Sequence, residues 1–448
     1  MGNTKITDKP KVNQLADSDS IFGNFGGKVG QMSISDFRTH LNDNDNQVLN
    51  DIAFYIDVNS PSSLGATRVD TGGNLRMRAM LEASEVDALM DKNGNYCELN
   101  PNDCRYTKEG EAIVDMDTGE ILSKWANADI VRIIPQYYGR VQTVQVGSNT
   151  ILRSWFSLVP LPNGYIIPRQ VVGKFKASLV QSVLRSLPNN KPAHSITING
   201  FWNYAQARSK NHGLANLDFR NHLLFHMMAK YGYRDSQNCK GSDGTPVWGV
   251  GLDGSESGEG FQGEISIKTG ATISLGKYDG KVAVTAAGGN TCHSVNVDGF
   301  ENPWGQYWEM VGGLCSVGTD VYFWRSNVMP TGTPTDATFD NIDNVVLRRA
   351  TSNTACAMNV ISSGIVQGTY MIQRDSDSGI SYGDSFSYSE TGKLWMFGGS
   401  SYDGSNCGLA DAASSNDWSD SNWNVATRLA YYGDINKVSS ARLAELIA

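Results

Sequence analysis

A chain of 448 residues, 40% of them hydrophobic and 10% aromatic, has the apolar content for a sizeable core, which excludes a disordered protein. Its 37 Lys and Arg against 46 Asp and Glu leave a formal charge of −9, the wrong balance for gripping nucleic acid or an anionic membrane by charge. The 47 glycines, clustered with Asn, Asp and Ser, call for many turns and hence a strand- and loop-rich architecture.

The start, "MGNTKITDKPK", lacks the apolar run of a signal peptide, and Ile6 stands where a myristoylation motif has Ser or Thr. No apolar run reaches the length that spans a bilayer, so the expectation is synthesis in a cytoplasm and no membrane insertion. From Lys11 to Leu41, Ile21 and Phe22 predict a short strand, Gly26-Gly27 a tight turn, and Val29, Met32 and Ile34 a return strand. Ser35 then caps a helix with Asp36 in its first turn. A module this small does not fold stably alone, so it is expected to dock on copies of itself or on a larger assembly. "NDNDNQ", residues 42–47, is a hinge, which divides the chain into an N-terminal segment, 1–50, and a main domain, 51–448.

Residues 51–150 read as short strands between Gly, Asn and Asp turns. "ADIVRIIPQYYGRVQTVQV" has the β-branched and aromatic runs of buried strands. "SITINGFWNYAQARSKNHG" then predicts a helix, and "NLDFRNHLLFHMMAKYGYRD" a longer one. Leu217, Leu224, Phe225, Met228 and Tyr231 give that helix an apolar face, widened by Leu223 and Met227. Beyond Gly241 the pattern is Gly-punctuated strands and loops until a short final helix in "VSSARLAELIA". Strands around a few helices without βαβ alternation indicate an α+β fold.

Several motifs that suggest chemistry have plainer readings. "GVGLDG", Gly249 to Gly254, matches a dinucleotide fingerprint, but "SESGEG" follows where the phosphate-binding helix belongs, so it reads as a loop. "GNFGGK" is one residue short of a phosphate loop. His222 and His226 have zinc-chelating spacing, yet "HLLFH" lacks the metalloprotease glutamate, and two histidines at the edge of a packed helix are expected. "DKNGNYCELNPND" has Tyr96 at the glycine position of a calcium loop and Asn102 at its last ligand position, so it reads as a surface turn. Asp375 and Asp377 in "RDSDSG" read as a solvated loop. Seven cysteines (97, 104, 239, 292, 315, 356 and 407) form no C-x-x-C pair and are expected as buried thiols. No Ser/His/Asp set assembles, so no catalytic residue, metal or cofactor is expected and the chain is not read as an enzyme.

"GFENPWGQYWEMVGG", Gly299 to Gly313, is more specific. Trp304, Tyr307 and Trp308 crowd beside turn residues, with Glu301 and Glu309 the only charges, which predicts rings in a core and carboxylates bonded to backbone amides. The stretch resembles the "ENxWGNxWEW" signature of the C-type lectin fold in its formylglycine-generating-enzyme-like branch. "KLWMFGGSSYDGSNCGLADAASSNDWSDSNWNVATRLAYY" resembles the closing "GGSWxxGxxxG…NWNxGxRLA" segment of phage ligand-binding proteins, including those diversified by retroelements. The two predicted helices at about 197–232 resemble the pair flanking the sheet of that fold. The resemblance spans about 120–434, and "DSDSIFGNFGGKVGQMSISDF" is similar to the anchoring segment of phage fibre proteins.

The resemblance implies an α+β, C-type-lectin-like head or tail fibre or spike of a virion, assembled as a homotrimer and made in the host cytoplasm. Ile21, Phe22, Phe25, Val29, Met32, Ile34 and Phe37 would anchor it to other virion proteins. A display loop, about 399–424, would bind a host surface glycan or protein. From Ser401 to Asn424, 15 of 24 residues are Ser, Asn, Asp or Tyr, types that make adaptable hydrogen bonds on a fixed scaffold. Ligand contacts are expected at Tyr402, Asp403, Asn406, Asn416, Asp417, Trp418, Asp420 and Ser421, with Ser414 to Ser421 exposed and Trp423 and Leu429 turned into the core. Two alternatives stay open: a capsid-decorating fibre without a specific ligand, and an oxidase of the formylglycine-generating kind. The oxidase needs two cysteines together, whereas Cys407 and Cys356 are 51 residues apart. A lectin-type calcium site is not expected, since "ENP" and "WSD" depart from its motifs.

Overall fold

The computed structural model describes residues 78–140, 153–233, 235–254, 265–286, 289, 291–318, 320–340, 342, 394–404 and 407–448, and the backbone alone for 20–25, 28–33, 54–57, 67–68, 72–77, 141–146, 149–152, 344–348 and 386–388. Its elements are mostly strands with a few helices, an α+β fold as the sequence predicts. Among the described residues no helix is long and apolar enough to cross a membrane.

Two large sheets organise the domain. The first runs in the order His212–Leu214, Leu429–Tyr431, Gln170–Gly173, Asp129–Ile134, Val86–Met90, Asn95–Glu98 and Asn436–Lys437. Its central strand, "DIVRII", is buried at every position, because both faces of the sheet are covered. The second sheet is built on Trp308–Val317, which pairs antiparallel with Leu394–Phe397 and Asp320–Trp324 and parallel with Val425–Thr427. Its register shifts between Met310 and Cys315. Gly313 sits inside that shift at φ 72, where a Cβ would lie 2.3 Å from the Trp324 carbonyl oxygen, so only glycine fits. The bend also lets the Gly312 amide donate to the Ala215 carbonyl, which docks the start of the long helix on the sheet.

Helix α1 spans Gly72–Ser84, α2 Ile198–Gln206, α3 Leu217–Tyr231 and α4 Ser440–Ile447. The last three match the sequence reading. Thr197, Asn216 and Ser439 cap them by accepting the Gly200, Phe219 and Arg442 amides. Gly232 closes α3 in the left-handed conformation, φ 73. Helix α2 buries one stripe, Ile198, Phe201 and Ala205, whereas α3 buries twelve residues on all sides, including Asp218, Arg220 and His222. An amphipathic reading of α3 is therefore too narrow: it is a central helix, and its polar groups need buried partners. Helix α1 is missed by the sequence reading, because its opening "GGN" signals a turn while the residues after it are good helix formers.

The N-terminal hairpin is present: Ser20–Phe25 pairs antiparallel with Lys28–Ser33, Ile21 opposite Met32 and Asn24 opposite Val29. Ile34 and Phe37, expected as anchoring residues, and the predicted Ser35-capped helix lie outside the described residues, as do Asp375 and Asp377. Among the described residues Cys97, Cys104, Cys239, Cys292, Cys315 and Cys407 are buried thiols; Cys356 lies outside them. At Asp91 the carboxylate accepts the Asn93 and Asn95 amides and so closes a hairpin turn. In "GVGLDG" a Cβ on Gly251 would lie 2.8 Å from Trp304 Nε1, so that glycine allows close packing.

Candidate binding surface

The segment 399–424 is not one loop. Residues 407–414 are buried, and Ala412–Asn416 is a strand of the second sheet, so Ser414 is interior and not exposed as expected. What remains outside is a short turn at Tyr402 and Asp403 and a longer one from Ser415 to Trp423. Both hang on the turn that carries the tryptophan signature. On one side the Ser401 amide donates to the Gln306 carbonyl; on the other the Trp308 amide donates to the Asn424 carbonyl at 2.7 Å. The two exposed turns, both tied to residues 306–308, form one candidate edge.

The floor under that edge is a buried charge cluster. Three successive carbonyls of the turn are each taken by a different cation: Glu301 by Arg428, Asn302 by Lys176, and Pro303 by Arg220. All three cations converge on Glu309, which meets Arg428 Nε at 2.9 Å, Lys176 Nζ at 3.1 Å and Arg220 Nη1 at 3.4 Å. Burial opposes the charge on Glu309, but Arg428, Lys176 and Arg220 outweigh it and hold its pKa below the usual carboxylate value. Burial also pulls Lys176 down to about 8. Glu301 behaves as the sequence predicts, accepting the Gly270 and Thr272 amides at 2.7 Å each. Glu309 does not, since its partners are side-chain cations from distant parts of the chain. Trp304 and Tyr307 are fully buried, and Trp304 packs edge-on against Trp248 with centroids 5.7 Å apart.

The predicted contact residues separate on this frame. Tyr402 is 57% exposed, and Asp417 and Ser421 are exposed. Asp403 accepts the Ser400 amide and hydroxyl, both at 2.8 Å, and so builds its own turn. Asp420 accepts the Asn416 side-chain amide at 2.9 Å and the Asp417 amide at 3.2 Å, so Asn416 and Asp420 form the second turn. Asn406 lies outside the described residues. The two tryptophans exchange the places expected of them. Trp418 is 2% exposed and packs in the core cluster with Phe201, Met396 and Val425, its Nε1 donating to Asn199 Oδ1 on α2. Trp423 is 39% exposed, because its neighbours are pinned instead: the Asn422 carbonyl accepts the Ser195 amide and the Asn424 carbonyl accepts the Trp308 amide. Leu429 is in the core as predicted.

Sequence reasoning thus missed Trp423 and Asn422 as surface groups. In a run of Ser, Asn and Asp the two rings look alike, and only the position of α2, which receives Trp418, tells them apart. Cys407 lies beneath the Tyr402 turn. Burial, reinforced by Asp253, Asp411 and Asp403, pushes its thiol well above the ordinary value. Neither the family models nor the curated proteins compared with this chain give a match.

Proposed function

We propose that the protein is a fibre or spike of a bacterial virus whose C-type-lectin-like domain binds the host cell surface at the edge formed by Tyr402, Asp417, Ser421, Asn422 and Trp423. The observation that carries this reading is the pair of exposed rings, Tyr402 and Trp423, on two turns tied to either side of one buried, charge-clamped turn. Large rigid rings beside Asp, Asn and Ser on a fixed floor suit a sugar face, with the rings stacking and the polar groups bonding hydroxyls. The fold reading is supported by the way its two motifs meet. Trp308–Met310 runs parallel to Val425–Thr427, and Arg428 bonds Glu309 across 119 residues of sequence. The N-terminal hairpin suits an anchor to other virion proteins, and a homotrimer of such fibres would turn weak single contacts into avidity. The oxidase reading has no comparable support, given the raised pKa of Cys407. The test is an array of bacterial surface polysaccharides probed with the purified full chain. At least one polysaccharide is expected to be bound, with binding reduced by about tenfold or more in Trp423→Ala. Equal binding by the variant would refute the placement of the site.

A further inference from the structure

Away from that edge, α3 carries a second polar constellation. His222 Nε2 lies 2.8 Å from Asp298 Oδ2 and 3.4 Å from Glu85 Oε1, and the three side chains can each offer one ligand atom within 4.8 Å of the others. Each residue comes from a different element: Glu85 follows α1, His222 is in the middle of α3, and Asp298 is in the turn after the strand Thr291–Val297. Thus His222 pairs with distant carboxylates and not with His226, four residues on, which meets Asp279 at 3.0 Å and the outer oxygen of Asp298, Oδ1, at 3.5 Å. The sequence places both at a helix edge; His222 is instead buried, whereas His226 is only partly buried.

We propose that Glu85, His222 and Asp298 bind one divalent transition-metal ion, with Zn2+ the best match to one imidazole and two carboxylates. Zinc bonds to N and O are about 2.0–2.2 Å long, so tetrahedral ligand atoms sit roughly 3.4 Å apart. His222 to Glu85 already has that spacing, and His222 to Asp298 needs to open by roughly half an ångström. The supporting groups of a metal site are in place as well. Arg132 Nη2 holds the opposite oxygens, Glu85 Oε2 at 2.6 Å and Asp298 Oδ1 at 2.8 Å, leaving the inner oxygens for an ion. Tyr137 Oη lies 3.3 Å from His222 Nδ1, where it fixes the ring with Nε2 turned to the site. Glu85 and His222 also line a cavity of about 30 Å3 with Tyr137, Phe156, Phe225 and His226, room for one water as a fourth ligand. The ion takes the place of the proton on His222 Nε2, which passes to solvent. Such a centre would clamp the end of α1 to the core of the domain.

The test is titration of the chelator-treated full chain with Co2+, a coloured substitute for Zn2+. The expected result is one equivalent bound with the visible absorption of a low-coordinate cobalt centre, bleached by Zn2+. His222→Gln is expected to weaken binding by about 100-fold or more, and Tyr137→Phe, which keeps all three ligands, by about tenfold. Circular dichroism checks folding, and if His222→Gln does not fold, Tyr137→Phe decides. No cobalt band in the wild-type chain, or a band with the same affinity in each folded variant, would overturn the proposal.

Discussion

At the residue scale the account turns on two tryptophans five positions apart. Trp418 fills the space between α2 and the second sheet, so Trp418→Ala leaves a ring-sized void and an unpaired Asn199. It is expected to cost about 3–5 kcal/mol of stability. Trp423→Ala removes a ring that is 39% exposed and, among the described residues, packs in no core cluster, and is expected to stay within about 0.5 kcal/mol. Urea denaturation of both variants checks this, and the reverse order would mean that the two rings are misplaced. The test also separates binding from folding, because Trp423→Ala loses the proposed contact without losing the fold. The sequence showed that rings stand among polar turn formers. It did not show which ring faces out, since that depends on a helix about 220 residues earlier in the chain.

At the scale of elements, the helices legible in the sequence were those with local signals: a cap, an apolar period and a closing glycine or chain end. Helix α1 has a turn-like start and escaped. The pairing of Trp308–Met310 with Val425–Thr427 is a long-range contact that no local pattern encodes, although the two tryptophan-bearing stretches singled out in the sequence hold both partners. The cluster around Glu309 likewise draws on Lys176, Arg220 and Arg428 from three separate stretches of the chain. Glu309→Gln keeps the shape of the side chain but leaves three buried cations without their shared counter-charge. A loss of about 3–5 kcal/mol is expected. Because those cations hold the carbonyls of the 301–303 turn, faster amide exchange in the turns at 400–404 and 415–424 should accompany it. Unchanged exchange there would show that the edge does not depend on this floor.

For the whole molecule, buried histidines set the pH range of stability. Burial is the main reason that His212 titrates at about 4 in the folded protein, with Arg208 and Arg185 adding to it and Asp129 opposing. Its folded pKa is below the unfolded 6.5, so its contribution is whole above pH 6.5 and is lost as pH falls toward 4, by roughly 3 kcal/mol. His222 works in the opposite direction. Burial disfavours its charge, but Glu85 and Asp298 raise it to about 9, so its contribution is whole below pH 6.5 and fades as pH rises to 9. These two histidines thus favour stability near pH 6.5 in the metal-free chain. His212→Gln should flatten the acid side between pH 6.5 and 4, which unfolding curves at a series of pH values would show. An unchanged acid side would place the proton uptake elsewhere.

The central claim is that the edge carrying Tyr402 and Trp423 grips a bacterial surface. The most direct measurement is co-sedimentation of the labelled full chain with cells from a panel of candidate host bacteria, with Tyr402→Ala/Trp423→Ala compared against wild type. The account predicts that wild type sediments with cells of at least one of them and that the double variant, folded by circular dichroism, loses about tenfold or more of that binding. Equal co-sedimentation of the two would contradict it.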